Sequence, residues 1–329
     1  MKKRTGFAFS IIAGLLMALT IGSASVQAAS SGYPDHNIEV VVPTSPGGIN
    51  DTAARILNPK LSEILGATLM IMNKPAGGGV AGLESVINAK PDGYTILGWA
   101  DVTPIIIPLL YPEKTYTYKS LEPIAWFAYA PNVIVVPAAS PFKTLQEFLD
   151  HAKKNPGKLT YGSTGATHIS RVSMELIKKS AAVNLVHIPY QGGGPLKAAI
   201  LGGHVDIAND SIVAVNPLIK AGNLRPLAIC SDKRHDALPN VPTVTELGYP
   251  NASLPVRAGY MAPLGTPQPI IDKWNQAIQK ALADPAIISQ LTKASLTIDY
   301  IPLKAAGAAM DRPNRILTEW VKEGGMTKK

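Results

Sequence analysis

The sequence predicts an α/β protein of two domains, each built on a mainly parallel sheet. Two observations predict this. A short apolar run, a Gly/Pro/Ser turn and a helical segment recur along the chain, which is the pattern of βαβ units. The chain has 329 residues, and about 300 of them after removal of a leader exceed what a single core usually organises.

The leader comes first. Lys2, Lys3 and Arg4 precede an uncharged, mostly apolar run over residues 6–21, and Val26-Gln27-Ala28 supplies a small-x-small cleavage site. Residues 1–28 therefore read as an export signal, with Ala29 opening the mature chain. A single-span anchor is the alternative, but the run falls short of the ~20 residues a bilayer needs and no basic stop-transfer cluster follows.

In the mature chain "IEVVVP" leads into a helix from about Asn50, "TLMIMN" into one from about Val80, and "YTILGW" into a loop holding Asp101 and Thr103. Further strand-like runs are "NVIVVP", "KLTYGS", "NLVHIPY", "VDIAND" and "RPLAIC". Between them lie "TLQEFLDHAKK", opened by a Thr144-x-x-Glu147 capping box, "HISRVSMELIKKSAA", and "PLKAAILGG", ended by Gly202-Gly203. From Pro269 the chain reads as mainly helical, with Ile270, Ile271, Trp274, Ile278 and Leu282 on one face until Asp284-Pro285. Pro59 and Pro313 interrupt helical patterns and should kink or end them.

Charge and composition exclude several classes. The full chain carries a formal charge of +8; the leader holds three basic and no acidic residues, so 8 less 3 leaves +5. The charges are dispersed, without a basic stripe interleaved with aromatics, so no nucleic-acid partner is expected. Cys230 is the single cysteine and lies in an apolar run, as a buried thiol would. No intrachain disulfide can form, and without a cysteine in the leader no lipid anchor is expected. The six histidines never pair at i, i+4, so no metal site emerges. His187, alternating with apolar residues in "LVHIPY", reads as a satisfied core or rim residue.

Gly77, Gly79 and Gly82 form Gly-x-Gly-x-x-Gly, with Asp101 nineteen residues beyond Gly82. A dinucleotide turn follows its strand directly, whereas Asn73-Lys74-Pro75-Ala76 intervenes here, so no cofactor is expected. No phosphate loop occurs. "YGSTG" has Tyr161 where a nucleophile elbow requires glycine, so no enzyme is expected.

What remains are loops of small hydroxyl and glycine residues at strand-to-helix junctions: Thr44-Ser45-Pro46-Gly47-Gly48, Ser163-Thr164-Gly165-Ala166-Thr167 and Tyr190-Gln191-Gly192-Gly193-Gly194. In a parallel sheet such junctions gather at one edge, where free helix N-terminal N–H groups converge on an anion. One helix terminus supplies only ~0.3–1 kcal/mol when exposed and up to ~2 when partly buried. Micromolar affinity needs about 8 kcal/mol, so loops from both domains must act together. Any single loop alone would be an ordinary turn.

Eight segments taken in order resemble the extracytoplasmic substrate-binding proteins of tripartite tricarboxylate transporters, the Bug family. They are "YPDHNIEVVVPTSPGGINDTAAR", "NKPAGGGVAGLESV", "KPDGYTILG", "NPGKLTYGSTGATHIS", "HIPYQGGGPLKAAILGGHVDI", "IKAGNLRPLAI", "RHDALPNVPTVTELGYP" and "APLGTPQPIIDKWNQAI". The resemblance implies a two-domain flytrap of the periplasmic binding protein type (type II). It would be a periplasmic monomer that binds a small organic carboxylate, a di- or tricarboxylate or an aromatic acid, and passes it to integral-membrane transporter subunits. Carried over by position, the ligand-binding residues are Ser45, Gly47, Gly48 and Asn50 in the first loop. Ser163, Thr164, Thr167 and His168 follow in the second, and Tyr190, Gly192 and Gly193 in the third. Asp101 joins these candidates. Asp210 falls where the family has Asp near the cleft, and a helix N-cap is its equal alternative.

Two departures stand out. Thr44-Ser45 replaces an aromatic and a proline, which implies a more polar, roomier wall. Val256-Arg257 replaces a cleft aromatic, and Arg257 is either a bidentate partner for a distal carboxylate or a surface arginine at the hinge. The expected domains are residues 35–132 with 258–329, and 133–257. A receptor that signals rather than transports, and an exported oxidoreductase using the Gly77 motif, are the rival readings.

Overall fold

The computed structural model describes residues 32–100, 103–111, 113–114, 116–254 and 256–324. The chain builds two sheets. The first contains β1 (Ile38–Val42), β2 (Leu69–Asn73), β3 (Thr95–Ala100), β4 (Leu121–Ala130), β10 (Val256–Pro263) and β11 (Thr297–Pro302), in the spatial order β11-β4-β10-β3-β1-β2. The second contains β5 (Asn132–Pro137), β6 (Thr160–Ser163), β7 (Val186–Pro189), β8 (Ile207–Ser211) and β9 (Leu224–Ile229), in the order β7-β6-β8-β5-β9.

Strand β1 lies parallel between β2 and β3, with Val40 opposite Ile71 on one side and Ile96 on the other. Its side chains are apolar almost throughout because helices cover both faces of a parallel strand. β10 runs antiparallel to both β3 and β4, and β11 antiparallel to β4. In the second sheet β6 is parallel to β7 and β8, while β5 runs against β8 and β9. Each sheet is thus mixed, with most strands pointing one way.

Among the described residues ten α-helices connect or follow the strands: α1 (Ile49–Leu65), α2 (Val80–Ile87), α3 (Thr103–Leu110), α4 (Leu145–Lys154), α5 (Ile169–Ala181), α6 (Gly193–Leu201), α7 (Ile212–Lys220), α8 (Gln268–Leu282), α9 (Pro285–Lys293) and α10 (Leu303–Lys322). The stripe on α8 is core as expected: Ile270, Ile271, Trp274 and Ile278 are buried, and the Trp274 indole N–H donates to Tyr33 Oη at 2.6 Å. Asp284 then caps α9, its Oδ1 accepting the Ala286 N–H at 2.8 Å. Thr144 caps α4 by accepting the Glu147 N–H, but Glu147 reaches one residue further back than a capping box requires, to the Lys143 N–H. No helix among the described residues is long and apolar enough to cross a membrane.

Several expectations change. The segment after β3 forms α3 rather than a loop, because burial of Ile105, Ile106 and Ile107 overrides its two prolines. Helices α1 and α10 continue through Pro59 and Pro313. Strands β4, β10 and β11 were not foreseen. The chain changes sheets at Pro131 and again between β9 and β10, so Asn132 belongs to the second sheet and Val256-Arg257 to the first.

Candidate functional site

The loop between β1 and α1 is held open by a buried carboxylate. Asp51, 2% exposed, accepts the Gly47 N–H at 2.9 Å and Arg55 Nε at 3.0 Å on Oδ2. Its Oδ1 accepts Asn73 Nδ2 at 3.0 Å, and the same amide reaches Thr44 O at 3.0 Å. Burial alone would raise the Asp51 pKa, but hydrogen bonds from Arg55, Gly47 and Asn73 outweigh it and hold the carboxyl below its ordinary value. Gly47 takes φ +88°, a conformation natural to glycine. Gly48 caps α1 without a side chain, so the first-turn N–H groups receive no side-chain acceptor from the cap.

The second sheet repeats this arrangement. His168 caps α5 and Gly192, at φ +103°, caps α6, again with no side-chain cap on the helix. Thr164 organises the first of these loops: its Oγ1 lies 3.2 Å from His168 Nδ1 and 2.8 Å from Ser170 Oγ, and its N–H donates to Ser170 Oγ. The two loops are tied by the Gly192 N–H to Thr164 O at 3.1 Å and the Tyr190 N–H to Ser163 O at 2.9 Å. Burial pushes the His168 pKa down to about 4, so its ring is neutral at pH 7.

These loops and the β8–α7 junction enclose one cavity of about 260 Å³. Ser45, Gly47, Gly48, Asn50, Thr164, Thr167, His168, Tyr190, Gly192, Gly193 and Asp210 all line it. Among the described lining residues there is no Lys or Arg, and Asp210 is the single acid. The lobes touch across it: Ser45 Oγ donates to Gln191 O at 3.2 Å, and a β-carbon at Gly78 would lie 2.9 Å from Thr167 Oγ1.

Two expected residues are not brought there. Ser163 is fully buried behind the loop, its Oγ bonded to Gly165 O at 3.0 Å and to His187 Nε2 at 2.7 Å. Arg257 does not line the cavity; its Nε reaches Asp299 Oδ2 at 3.3 Å. Val256 lines the cavity, and the next residue on a strand points to the opposite face. Asp101 lies outside the described residues.

Other lining residues were missed. Pro75, Gly77, Gly78, Tyr111, Asn132, Ser211 and Val256 contribute wall. Gly77 and Gly78 form a short left-handed turn with φ of 64° and 69° before α2, so the glycine cluster shapes the cleft rather than a dinucleotide turn. Gly82 packs α2 against the starts of the loops after β1 and β2, since a β-carbon there would stand 3.0 Å from Pro43 Cα and 2.8 Å from Lys74 O. Among the described residues no cluster of His, Cys, Asp or Glu could hold a metal ion. His187, stacked on Tyr161 at 4.7 Å, is a satisfied rim residue, and Cys230 is buried.

The comparisons with known proteins agree with this geometry. Residues 53–304 match the family model described as tripartite tricarboxylate transporter family receptor. The periplasmic binding protein BugD has a structure superposing at a TM-score of 0.82, with 30% identity over 90% of this chain and 100% of that one. MatC from Rhodopseudomonas palustris, solved with bound malate, is 28% identical at a TM-score of 0.76, covering 88% of this chain and 97% of that one. A second R. palustris protein, solved with adipate, is 26% identical at 0.80, covering 88% and 96%. The fold is that of a two-domain periplasmic binding protein, and the family and its solved neighbours are solute-binding receptors rather than enzymes.

Proposed function

Because the chain belongs to the tripartite tricarboxylate transporter receptor family, we propose that it captures a small organic carboxylate in the periplasm by closing its two lobes and presents it to membrane transporter subunits. One observation carries the reading. Helices α1, α5 and α6, drawn from both sheets, start without side-chain caps at one cavity whose described lining holds no Lys or Arg.

A carboxylate there takes N–H donors from the first turns, where each helix presents a partial positive charge. Gly47, Gly48, Gly192 and Gly193 let the backbone approach it without a β-carbon in the way, and Thr164, Thr167 and Ser45 add hydroxyls. Closing the lobes excludes water and strengthens each N–H···O contact by lowering the local dielectric. About 260 Å³ is the share of roughly nine water molecules, which suits a compact acid. The hinge would run through Pro131 and the segment entering β10, and residues 1–28 would be removed on export.

The test is a thermal-shift screen of mono-, di- and tricarboxylates, each beside its neutral amide. An acid that binds only the folded state raises the apparent melting temperature by mass action. The reading predicts shifts with acids and none with amides. Equal shifts for both, or none for any acid, would reject it.

A further inference from the structure

We propose that Asp210 selects, among small carboxylates, those that also carry a hydrogen-bond donor, a hydroxyl or an ammonium group, and accepts that donor on its free Oδ2. The proposal rests on the carboxylate reading and adds the second feature of the ligand.

Asp210 is the penultimate residue of β8 and is 3% exposed. Its Oδ1 accepts the Ser211 N–H at 2.7 Å, while its Oδ2 is buried without a partner and the residue lines the cavity. Buried polar atoms in native proteins are almost always paired, so an orphan on a residue that lines a binding cavity calls for a partner that arrives with the ligand. Access to it is kept by Gly193: a β-carbon there would come within 3.1 Å of Oδ2.

The chemistry of that partner follows from charge. Asp210 lies beside the first residue of α6 and one residue before the N-cap of α7, and both helix termini favour its ionised form. Burial opposes them and raises its pKa to about 7. At about pH 8, above that pKa, the carboxylate is mainly ionised and only accepts, so its partner there must donate. No Lys or Arg among the described lining residues can serve. A second ligand carboxylate facing Oδ2 would meet like charge, whereas a hydroxyl or ammonium group would complete the bond. The side-chain alternative, that Asp210 caps a helix, is not used: Ser211 caps α7 with its own hydroxyl.

The experiment is calorimetric titration of the full mature chain with matched sets at about pH 8: propionate, lactate and alanine; succinate, malate and aspartate; glutarate, 2-hydroxyglutarate and glutamate. Within a set that binds, the donor-bearing acid should bind about 10- to 100-fold tighter than the plain acid, the range of a hydrogen bond to a charged group. Asp210→Ala should reduce that preference to within about threefold. If the alanine variant does not fold, isosteric Asp210→Asn should still cut the preference for the ammonium acid at least about fivefold, because a neutral amide accepts more weakly. Acids that bind the wild type without preference, or a preference that survives both variants, would overturn the proposal while leaving the carboxylate reading intact. Failure of every acid to bind would remove both.

Discussion

At the scale of single residues, Asp210 makes a prediction for the empty protein as well. Its pKa rises from 3.8 to about 7 through burial, so the stability linked to its protonated form is fully present below about pH 4 and lost as pH climbs through 7. At about 1.4 kcal/mol per pKa unit the ionised group costs at most on the order of 4 kcal/mol. Asp210→Asn should therefore melt several degrees above wild type at about pH 8 and level with it at about pH 4. His168 works in the other direction: its pKa falls from 6.5 to about 4, so its contribution is present above about 6.5 and lost as pH drops through 4. The difference between wild type and Asp210→Asn cancels that effect, and calorimetric melts of the two across pH measure it. Arg257→Ala, by contrast, should leave acid affinity within about twofold and cost roughly 0–1 kcal/mol of stability, because its pair with Asp299 is partly exposed. A tenfold loss of affinity would restore Arg257 to the site.

Among the elements, the three loops were legible because Gly, Ser and Thr at strand-to-helix junctions have few other uses. Their anchors were not. Asp51, Asn73 and Arg55 hold the first loop, yet each is an ordinary polar residue in the sequence, and only folding brings β2 beside the N-terminus of α1. Asp51→Ala removes an acceptor shared by Gly47, Arg55 and Asn73 and should cost about 1–3 kcal/mol in urea unfolding. Affinity for the acid should fall with it as the loop loosens. Strands β4, β10 and β11 escaped notice for a related reason. "LEPIAWFAYA" is buried along most of its length and does not alternate, and "TIDYIP" is half-buried up to an exposed Pro302. The Gly77, Gly79 and Gly82 motif was visible, and its distance from the strand argued against a cofactor, but nothing in the sequence placed Gly78 against Thr167.

For the whole molecule, closure of the two lobes is the proposed functional motion, and Gly78 is the place to oppose it. A side chain there would collide with Thr167 from the other lobe and would also have to adopt φ +69°. Gly78→Val should weaken acid binding at least about tenfold with a smaller effect on unfolding in the absence of ligand. Small-angle scattering should then find no contraction on adding acid, whereas wild type contracts. Loss of the Ser45 bond to Gln191 in Ser45→Ala is milder, about 0.5–1.5 kcal/mol or roughly two- to tenfold in affinity. The most direct measurement is a crystal structure with the tightest acid from the screen. A ligand carboxylate should lie within about 2.7–3.2 Å of first-turn N–H groups of α1 and of α5 or α6. An acid seated outside this cavity, or held there by a Lys or Arg side chain instead of those backbone groups, would contradict the backbone-clamp mechanism.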